Sequence, residues 1–168
     1  NNTETRKITL DTTKPAIVFN TGTQANNSNK SQTFIYANIV VSDTYLKNIT
    51  YTLYNATHLL NTTTSSSATS INWTGRANGV YYYNVTAYDY AGNTNKTETR
   101  KITLDTVYPL IAYVSPTATN NTNASRNWIF ANVSLTELNF KNITYDLFNL
   151  TSLVNSTTYT SQTKTINW

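Results

Sequence analysis

Apolar and polar residues alternate along short segments of this chain, at the two-residue spacing that a β-strand requires. Runs rich in Val, Ile, Thr and Tyr are separated by Asn, Ser, Gly and Asp, and no segment sustains the 3.6-residue period of a helix. In the first 106 residues this pattern predicts seven strands, at 16–20, 33–41, 47–55, 57–62, 69–73, 80–88 and 96–104. Seven short strands in a segment of that length are typical of an immunoglobulin-like β-sandwich, so the predicted fold class is all-β.

The sequence repeats itself after 94 residues, because the string TETRKITLDT occurs at 3–12 and again at 97–106. Across residues 1–73, 38 positions are identical to their counterparts when one inserted residue is allowed. A period of this length is a whole domain, which predicts tandem domains. Residues 1–12 are then the terminal strand of a preceding repeat or a donor strand for a neighbouring copy, 13–106 are a complete domain, and 107–168 are an incomplete one.

Alternation predicts which face of a strand is buried. In the strand at 33–41 one face is aliphatic, and so is its counterpart: Ile35, Ala37, Ile39 and Val41, then Ile129, Ala131, Val133 and Leu135. The opposite face carries aromatic residues in both copies: Phe34 and Tyr36, then Trp128 and Phe130. Either a neighbouring loop covers these aromatics, or they contact another subunit or a sugar. Trp73 and Trp168 share one repeat position and are expected to fill the core.

Composition narrows the range of functions. Asn, Thr and Ser make up 72 of 168 residues, only 12% are charged, and there is no cysteine, which disfavours helical bundles and disulfide scaffolds. The net charge of +4 comes from dispersed basic residues, so nucleic-acid binding is not expected. No apolar run is long enough to span a membrane. The only histidine is His58, whose repeat counterpart is Ser152, and no catalytic arrangement is recognisable, so we predict a non-enzymatic protein.

A hairpin motif and a boundary motif carry a resemblance. The hairpin contains Tyr83, Val85, Ala87, Asp89, Ala91, Gly92 and Asn93, and the boundary D-T-x-x-P occurs at 11–15 and 105–109. The chain resembles the tandem immunoglobulin-like domains of large prokaryotic cell-surface proteins, and its Asn- and Tyr-rich composition is similar to archaeal surface proteins of S-layers and filaments. The resemblance implies an extracellular location, and it places Tyr81 where such sandwiches have a tyrosine corner.

The resemblance also implies a possible cofactor. Some proteins of this kind bind Ca²⁺ at domain junctions through such aspartates, and the candidates here are Asp11, Asp89 and Asp105. Calcium takes six to eight oxygen ligands, usually including several carboxylates. The alternative is that Asp11 and Asp105 end a strand and begin a turn.

Sequons for N-glycosylation are the most frequent functional signal. Asn-x-Ser/Thr acceptors mark surface positions of exported chains. Fifteen are present: Asn1, Asn26, Asn29, Asn48, Asn55, Asn61, Asn72, Asn84, Asn95, Asn120, Asn123, Asn132, Asn142, Asn149 and Asn155. Six repeat positions carry a sequon in both copies. Either a composition rich in Asn and Thr creates them incidentally, or several carry glycans that shield an exposed β surface.

These observations favour a glycosylated structural subunit of an extracellular assembly, such as a filament, a stalk or an S-layer, whose partners are copies of itself. Stiff domains joined by proline-containing linkers suit that function. A second hypothesis is an adhesin stalk or carbohydrate-binding module that stacks sugars on Tyr36, Trp128 and Phe130. A third is a spacer attached to an extracellular enzyme.

Overall fold

A computed structural model describes all 168 residues, and it contains fourteen strands and no helix. Helices able to cross a membrane are therefore not among its elements. The chain forms two compact units, Asn1–Thr106 (unit 1) and Val107–Trp168 (unit 2). The predicted all-β, immunoglobulin-like fold class is confirmed by the order of these strands. The assignment of residues 1–12 to a preceding repeat stays a prediction, since they form no strand here.

Unit 1 is a sandwich of two sheets. Its strands are β1 (Ala16–Phe19), β2 (Ser28–Lys30), β3 (Ile35–Ser42), β4 (Leu46–Tyr54), β5 (Leu59–Ser65), β6 (Ser70–Trp73), β7 (Gly79–Asp89), β8 (Thr94–Lys96) and β9 (Arg100–Leu104). The smaller sheet has the order β1-β3-β6, and the larger has the order β2-β9-β7-β4-β5, with β8 also paired to β7. All neighbours are antiparallel except β2 and β9, which are parallel.

The core of unit 1 lies between the sheets, on the face that alternation predicts. From β3 it takes Ile35, Ala37 and Ile39, while β4 and β7 contribute every second residue, including Tyr51 and Tyr83. Tyr83 is fully buried, its ring packs against Phe19 and Trp73, and its hydroxyl donates to the Gln24 carbonyl at 2.7 Å. A buried phenol therefore keeps its hydrogen bond while its ring fills the centre of the sandwich.

Three details of unit 1 differ from the sequence prediction. The strand predicted at 57–62 lies at Leu59–Ser65, because the preceding residues form a turn in which the Asn55 Oδ1 accepts from the His58 backbone N–H. The strand predicted at 96–104 is interrupted, because the Thr97 hydroxyl accepts a hydrogen bond from the Val85 backbone N–H at 3.0 Å in place of a ladder carbonyl. This side chain produces a bulge between β8 and β9. The short strand β2 was not predicted, since its polar residues give no alternation, and it is held by parallel pairing with β9.

Unit 2 reproduces five strands of unit 1 at the same registers. They are β10 (Leu110–Tyr113), β11 (Phe130–Thr136), β12 (Ile143–Phe148), β13 (Leu153–Tyr159) and β14 (Thr165–Asn167), in sheets β10-β11-β14 and β12-β13. Ala131, Val133 and Leu135 are buried as predicted. The prediction that Ile129 is buried is wrong: the residue is 49% exposed, although its backbone exchanges two hydrogen bonds with Trp168 and so continues the β11–β14 pairing. Trp168 is half-buried against the core cluster rather than fully enclosed.

The buried tyrosines give unit 1 an expected response to alkaline pH. Burial raises the pKa of Tyr51 and of Tyr83 to about 12, with Arg100 lowering that of Tyr83 in part. An unfolded tyrosine has a pKa of about 10, so between these values only the unfolded chain ionises. We expect the free energy of unfolding to be insensitive to these groups below pH ~10 and to fall as pH rises from about 10 to 12.

Urea unfolding at a series of pH values checks this prediction. Tyr51→Phe and Tyr83→Phe each remove one ionising group, so each should flatten the alkaline decline. Tyr90→Phe is the matched control, because Tyr90 is exposed. An alkaline decline that stays equally steep in both core variants would contradict the assignment.

Candidate functional site

The segment that leads into β1 is fastened to unit 1 by the β7–β8 hairpin. Gly92 adopts a left-handed conformation with φ of 95° and lets the turn close, and the Asn93 amide then donates to the Asp11 carbonyl at 3.0 Å. Asn95 donates to the Pro15 carbonyl at 2.9 Å. The hairpin motif and the boundary motif are therefore two halves of one contact.

Three carboxylates converge beside this contact. Asp11, Asp43 and Asp89 each offer an oxygen, and these oxygens lie within 4.8 Å of one another. Each carboxylate accepts at least one backbone N–H: from Thr13 at Asp11, from Tyr45 at Asp43 and from Asn93 at Asp89. Oxygen ligands from three separate segments fit the chemistry of calcium, although three carboxylates supply only part of its ligand shell.

Asp89 is the buried member of this acidic cluster. Burial opposes its ionisation, but hydrogen bonds from the Asn93 side chain and from the backbone N–H groups of residues 91–93 outweigh that effect and lower the pKa of the carboxyl group. Asp89 is therefore charged at neutral pH. A buried, ionised carboxylate beside two others favours a nearby cation.

The structure brings together Asp11 and Asp89 of the predicted calcium ligands, but not Asp105. Asp105 follows Leu104, which pairs with Gly79 at the start of β7, whereas Asp89 ends the same strand. There the Asn78 side chain donates to Asp105 at 3.3 Å and accepts from the Thr106 backbone N–H at 3.1 Å. The segments at both ends of unit 1 are thus hydrogen-bonded to it.

Asp43 was missed from the sequence, although a signal for it was present. Its repeat counterpart is Glu137, so this position is acidic in both copies, as is the pair Asp11 and Asp105. Comparing acids across the repeat would have found Asp43. Its distance along the chain from Asp11 and Asp89 concealed it.

Three of the fifteen sequons have an amide that is already used inside the protein. Asn84 is 5% exposed and donates to Thr99, which contradicts its predicted surface position: the residues between β8 and β9 cover that part of β7. Asn132 donates to the Ser115 carbonyl, and Asn38, its counterpart outside any sequon, makes the equivalent bond to Thr21. Asn95 is the third, through Pro15. A glycan would replace one of these amide hydrogens.

The other twelve sequons have asparagines that are exposed or half-buried. Asn48, Asn55 and Asn61 are half-buried, and the fully exposed ones are Asn1, Asn26, Asn29, Asn72, Asn120, Asn123, Asn142, Asn149 and Asn155. At Asn26 the Oγ of Ser28, the third sequon residue, is buried without a partner. Occupancy of these sites stays a prediction.

The outward aromatics differ in how far they are covered within each unit. Within unit 1 a loop partly covers Tyr36, whose backbone N–H donates to the Gln24 side chain, while Phe34 is exposed. In unit 2 Trp128 is 44% exposed and one face of its ring is covered by the Arg126 guanidinium, 4.0 Å from the ring centroid. Phe130 is half-buried. Cation–π packing therefore occupies one stacking face of Trp128.

Two other predictions concern single residues. The tyrosine corner is present, because the Tyr81 hydroxyl donates to the Ala77 carbonyl at 2.9 Å. His58 is exposed in the β4–β5 turn, where its Nδ1 lies 2.6 Å from the Thr57 hydroxyl.

A groove on the outer face of the larger sheet was not predicted. Tyr54 and Tyr82 are register partners on adjacent strands, and they border a groove of about 510 Å³ together with Asn84 and Thr99. The lining includes no lysine, arginine, aspartate or glutamate. Aromatic rings beside neutral polar groups suit a neutral sugar better than a charged ligand.

Comparisons with known proteins give structural likeness only. No family model and no curated protein sequence matches this chain. The fibronectin(III)-like modules of CbhA from Clostridium thermocellum align with 91% of this chain and 78% of their own, at 12% identity and a TM-score of 0.47.

Two longer proteins also align. Dimeric latent PorU from Porphyromonas gingivalis aligns with 96% of this chain at 18% identity and a TM-score of 0.40. An engineered protein aligns with 55% of it at 16% identity and a TM-score of 0.43. This chain spans 20% of the engineered protein and 17% of PorU.

Proposed function

We propose that this chain is a non-enzymatic structural part of an extracellular, cell-surface assembly of the prokaryotic, archaeal-like kind, such as a filament, a stalk or an S-layer, and that it carries N-glycans. Copies of itself are its partners. The observation that carries the proposal is the fastening of both connecting segments to unit 1, through Asn93 and Asn95 at one end and Asn78 at the other. Fastened connections transmit force between repeats better than free linkers.

The sequons support the extracellular part of this proposal. Twelve of them keep an accessible or half-buried asparagine after folding, and five repeat positions do so in both copies. The core of unit 1 takes the inward-facing apolar residues of its main strands, and the surface combines many Asn and Thr residues with exposed apolar side chains such as Leu59 and Tyr90. A chain of this kind remains hydrated outside the cell without a high net charge.

Mass measurement and imaging of native material test the proposal. Mass measurement of native material should give this segment a mass above 18.9 kDa, the value for its 168 residues without glycans. Imaging should show an ordered polymer at the cell surface. A measured mass equal to that of the unmodified peptide would contradict the proposed glycosylation. A chain found dispersed inside the cell would contradict the proposed assembly.

Calcium binding by the acidic cluster is a further part of the proposal. Extracellular calcium modules have Kd values of about 10⁻⁴–10⁻³ M, so 1 mM calcium would stabilise unit 1 by about 0.4–1.4 kcal/mol. We expect calcium to raise the melting temperature and a chelator to reverse the rise. Asp43→Asn should abolish the calcium effect, and Asp105→Asn should preserve it. A melting temperature that changes with neither calcium nor chelator would exclude a calcium site at the acidic cluster.

Sugar binding is the second candidate function, as in an adhesin or carbohydrate-binding module. The groove beside Tyr54 and Tyr82 favours it, because the two rings offer adjacent stacking surfaces on one sheet face. Titration with neutral oligosaccharides should show saturable binding that Tyr82→Ala abolishes and Trp128→Ala leaves intact. The reverse pattern would mean that the sugar binds at the predicted aromatic residues of unit 2.

A further inference from the structure

Strand β5 is the least protected edge of unit 1. It ends the larger sheet, so one side of its backbone has no neighbouring strand, and its seven residues include no charge and no proline. The other edge strands are shorter: β1 and β6 have four residues, and β2 has three and ends in Lys30. Uncharged, unpaired edges of this length promote pairing between molecules.

Exposed apolar side chains make this edge more prone to pairing between molecules, and they occur at the same place in both units. Leu59 is 58% exposed and is followed by the exposed Leu60. In unit 2 the counterparts Leu153 and Val154 begin β13 and are 51% and 55% exposed. The repeat has therefore kept an apolar pair on an open edge twice, and neither edge strand contains a charged residue of its own, although in unit 2 Asp146 of β12 accepts a hydrogen bond from Ser156.

Sequons flank this apolar pair in both units. Asn55 lies in the turn before β5 and Asn61 lies within the strand, and Asn149 and Asn155 occupy the same places around β13. The same two positions are therefore available for modification on either unit. No other edge strand in unit 1 combines exposed leucines with flanking sequons of this kind.

Hydrogen bonds fix the orientation of these asparagines through their oxygens. The Asn61 Oδ1 accepts from the Trp73 indole N–H at 2.9 Å, and the Asn155 Oδ1 accepts from Trp168 at 3.0 Å. In the turn, the Asn55 Oδ1 accepts from the His58 backbone N–H at 2.7 Å. The Asn149 Oδ1 accepts from Ser152 in the same way at 2.8 Å. The amide nitrogens, which would carry a glycan, make no hydrogen bond to the protein.

We propose that the β4–β5 hairpin of unit 1 and the β12–β13 hairpin of unit 2 are the glycan-bearing edges of the repeat. Asn-linked oligosaccharides on Asn55, Asn61, Asn149 and Asn155 cover the apolar pair and block strand addition to β5 and β13. This inference rests on the glycosylation in the proposed function, and it assigns those glycans a position and a role. The covered edge is closed to lateral pairing, which confines self-association to other surfaces.

Glycopeptide mapping of the full chain, secreted from a host with N-glycosylation, tests the position. We expect glycans on the four hairpin asparagines and none on Asn84 or Asn132. Glycans found only at other sequons would overturn this inference while leaving the glycosylated structural role standing. A chain with no glycan at all would overturn the inference and the glycosylation part of the proposed function together.

Removal of the hairpin sequons tests the role. Exchanging the third sequon residue for Gln keeps each asparagine with its bond from a tryptophan or from the turn backbone, and it removes the threonine hydroxyl that also donates to the same Oδ1. The hairpin variant is T57Q/T63Q/T151Q/T157Q and the control is T3Q/S31Q/T74Q/S125Q. We expect sedimentation to show self-association of the hairpin variant at least tenfold tighter than that of the control. Equal association of the two variants would overturn the role.

Two further measurements keep this comparison interpretable. Both variants, made in a host without N-glycosylation, should melt within a few degrees of the unglycosylated parent, which shows that the substitutions leave the fold intact. Leu60→Lys and Val154→Lys, added to the hairpin variant, should restore the monomer by placing a charge on each edge. Association that persists with both lysines would locate it elsewhere and contradict the edge assignment.

Discussion

Ile102→Ala is expected to destabilise unit 1 by about 2–5 kcal/mol, whereas the same change at Ile8 is expected to cost almost nothing. Ile102 lies in β9 with its side chain fully buried, and Ile8 is 80% exposed. The two residues occupy the same position in the two copies of the decapeptide TETRKITLDT, so their local sequence is identical. The comparison therefore isolates the contribution of burial from that of sequence.

Urea unfolding of the two variants, followed by fluorescence and by circular dichroism, measures this difference. The effect of Ile102→Ala should appear in the transition of unit 1, because its contacts lie wholly within that unit. Equal losses in the two variants would mean that residues 3–12 are also packed in solution. Equal and negligible losses would mean that β9 does not close the core.

Tyr83→Ala is the second change with a large expected effect, a loss of about 3–5 kcal/mol. The ring lies between Phe19 and Trp73, so its removal leaves a cavity at the centre of the sandwich. Tyr83→Phe keeps the ring and loses only the hydroxyl, and the Gln24 carbonyl still accepts from Arg100 at 3.0 Å. We therefore expect Tyr83→Phe to cost about 0.5–1.5 kcal/mol.

Denaturant unfolding of both tyrosine variants checks the order of these values. A Phe variant as unstable as the Ala variant would show that the hydroxyl, and not the ring, stabilises the centre of unit 1. Tyr82→Ala is the neighbouring control, because Tyr82 faces the opposite side of the sheet and is only half-buried. Its loss should be well below that of Tyr83→Ala.

The sequence was sufficient for the fold because each main strand alternates clearly. The buried faces of β3, β4 and β7 follow every second residue, as the pattern predicts. It was insufficient at β2 and at Thr97, where hydrogen bonds with distant residues decide the conformation. Ile129 was misplaced because alternation identifies the face on which a side chain lies, but does not tell whether a second sheet covers that position, and unit 2 has no counterparts of β7 and β9.

The candidate site was less predictable, since it depends on which segments meet in space. Asp11 and Asp89 were identified from motifs, but Asp43 joins them only through folding, and Asp105 lies at the far end of β7. Asn84 was expected on the surface because it begins a sequon, and the bulged segment after β8 covers it. Alternation specifies the direction of a side chain within a sheet and gives no information about the loops above it.

Electron cryo-microscopy of native material tests the central claim most directly. We expect an ordered surface polymer in which immunoglobulin-like sandwiches recur along each filament. The Asp11–Pro15 connection should be fastened by Asn93 and Asn95, and glycan density should appear at surface asparagines. Native material that contains the chain only as a dispersed protein, with bare sequons and a mobile connection, would contradict it.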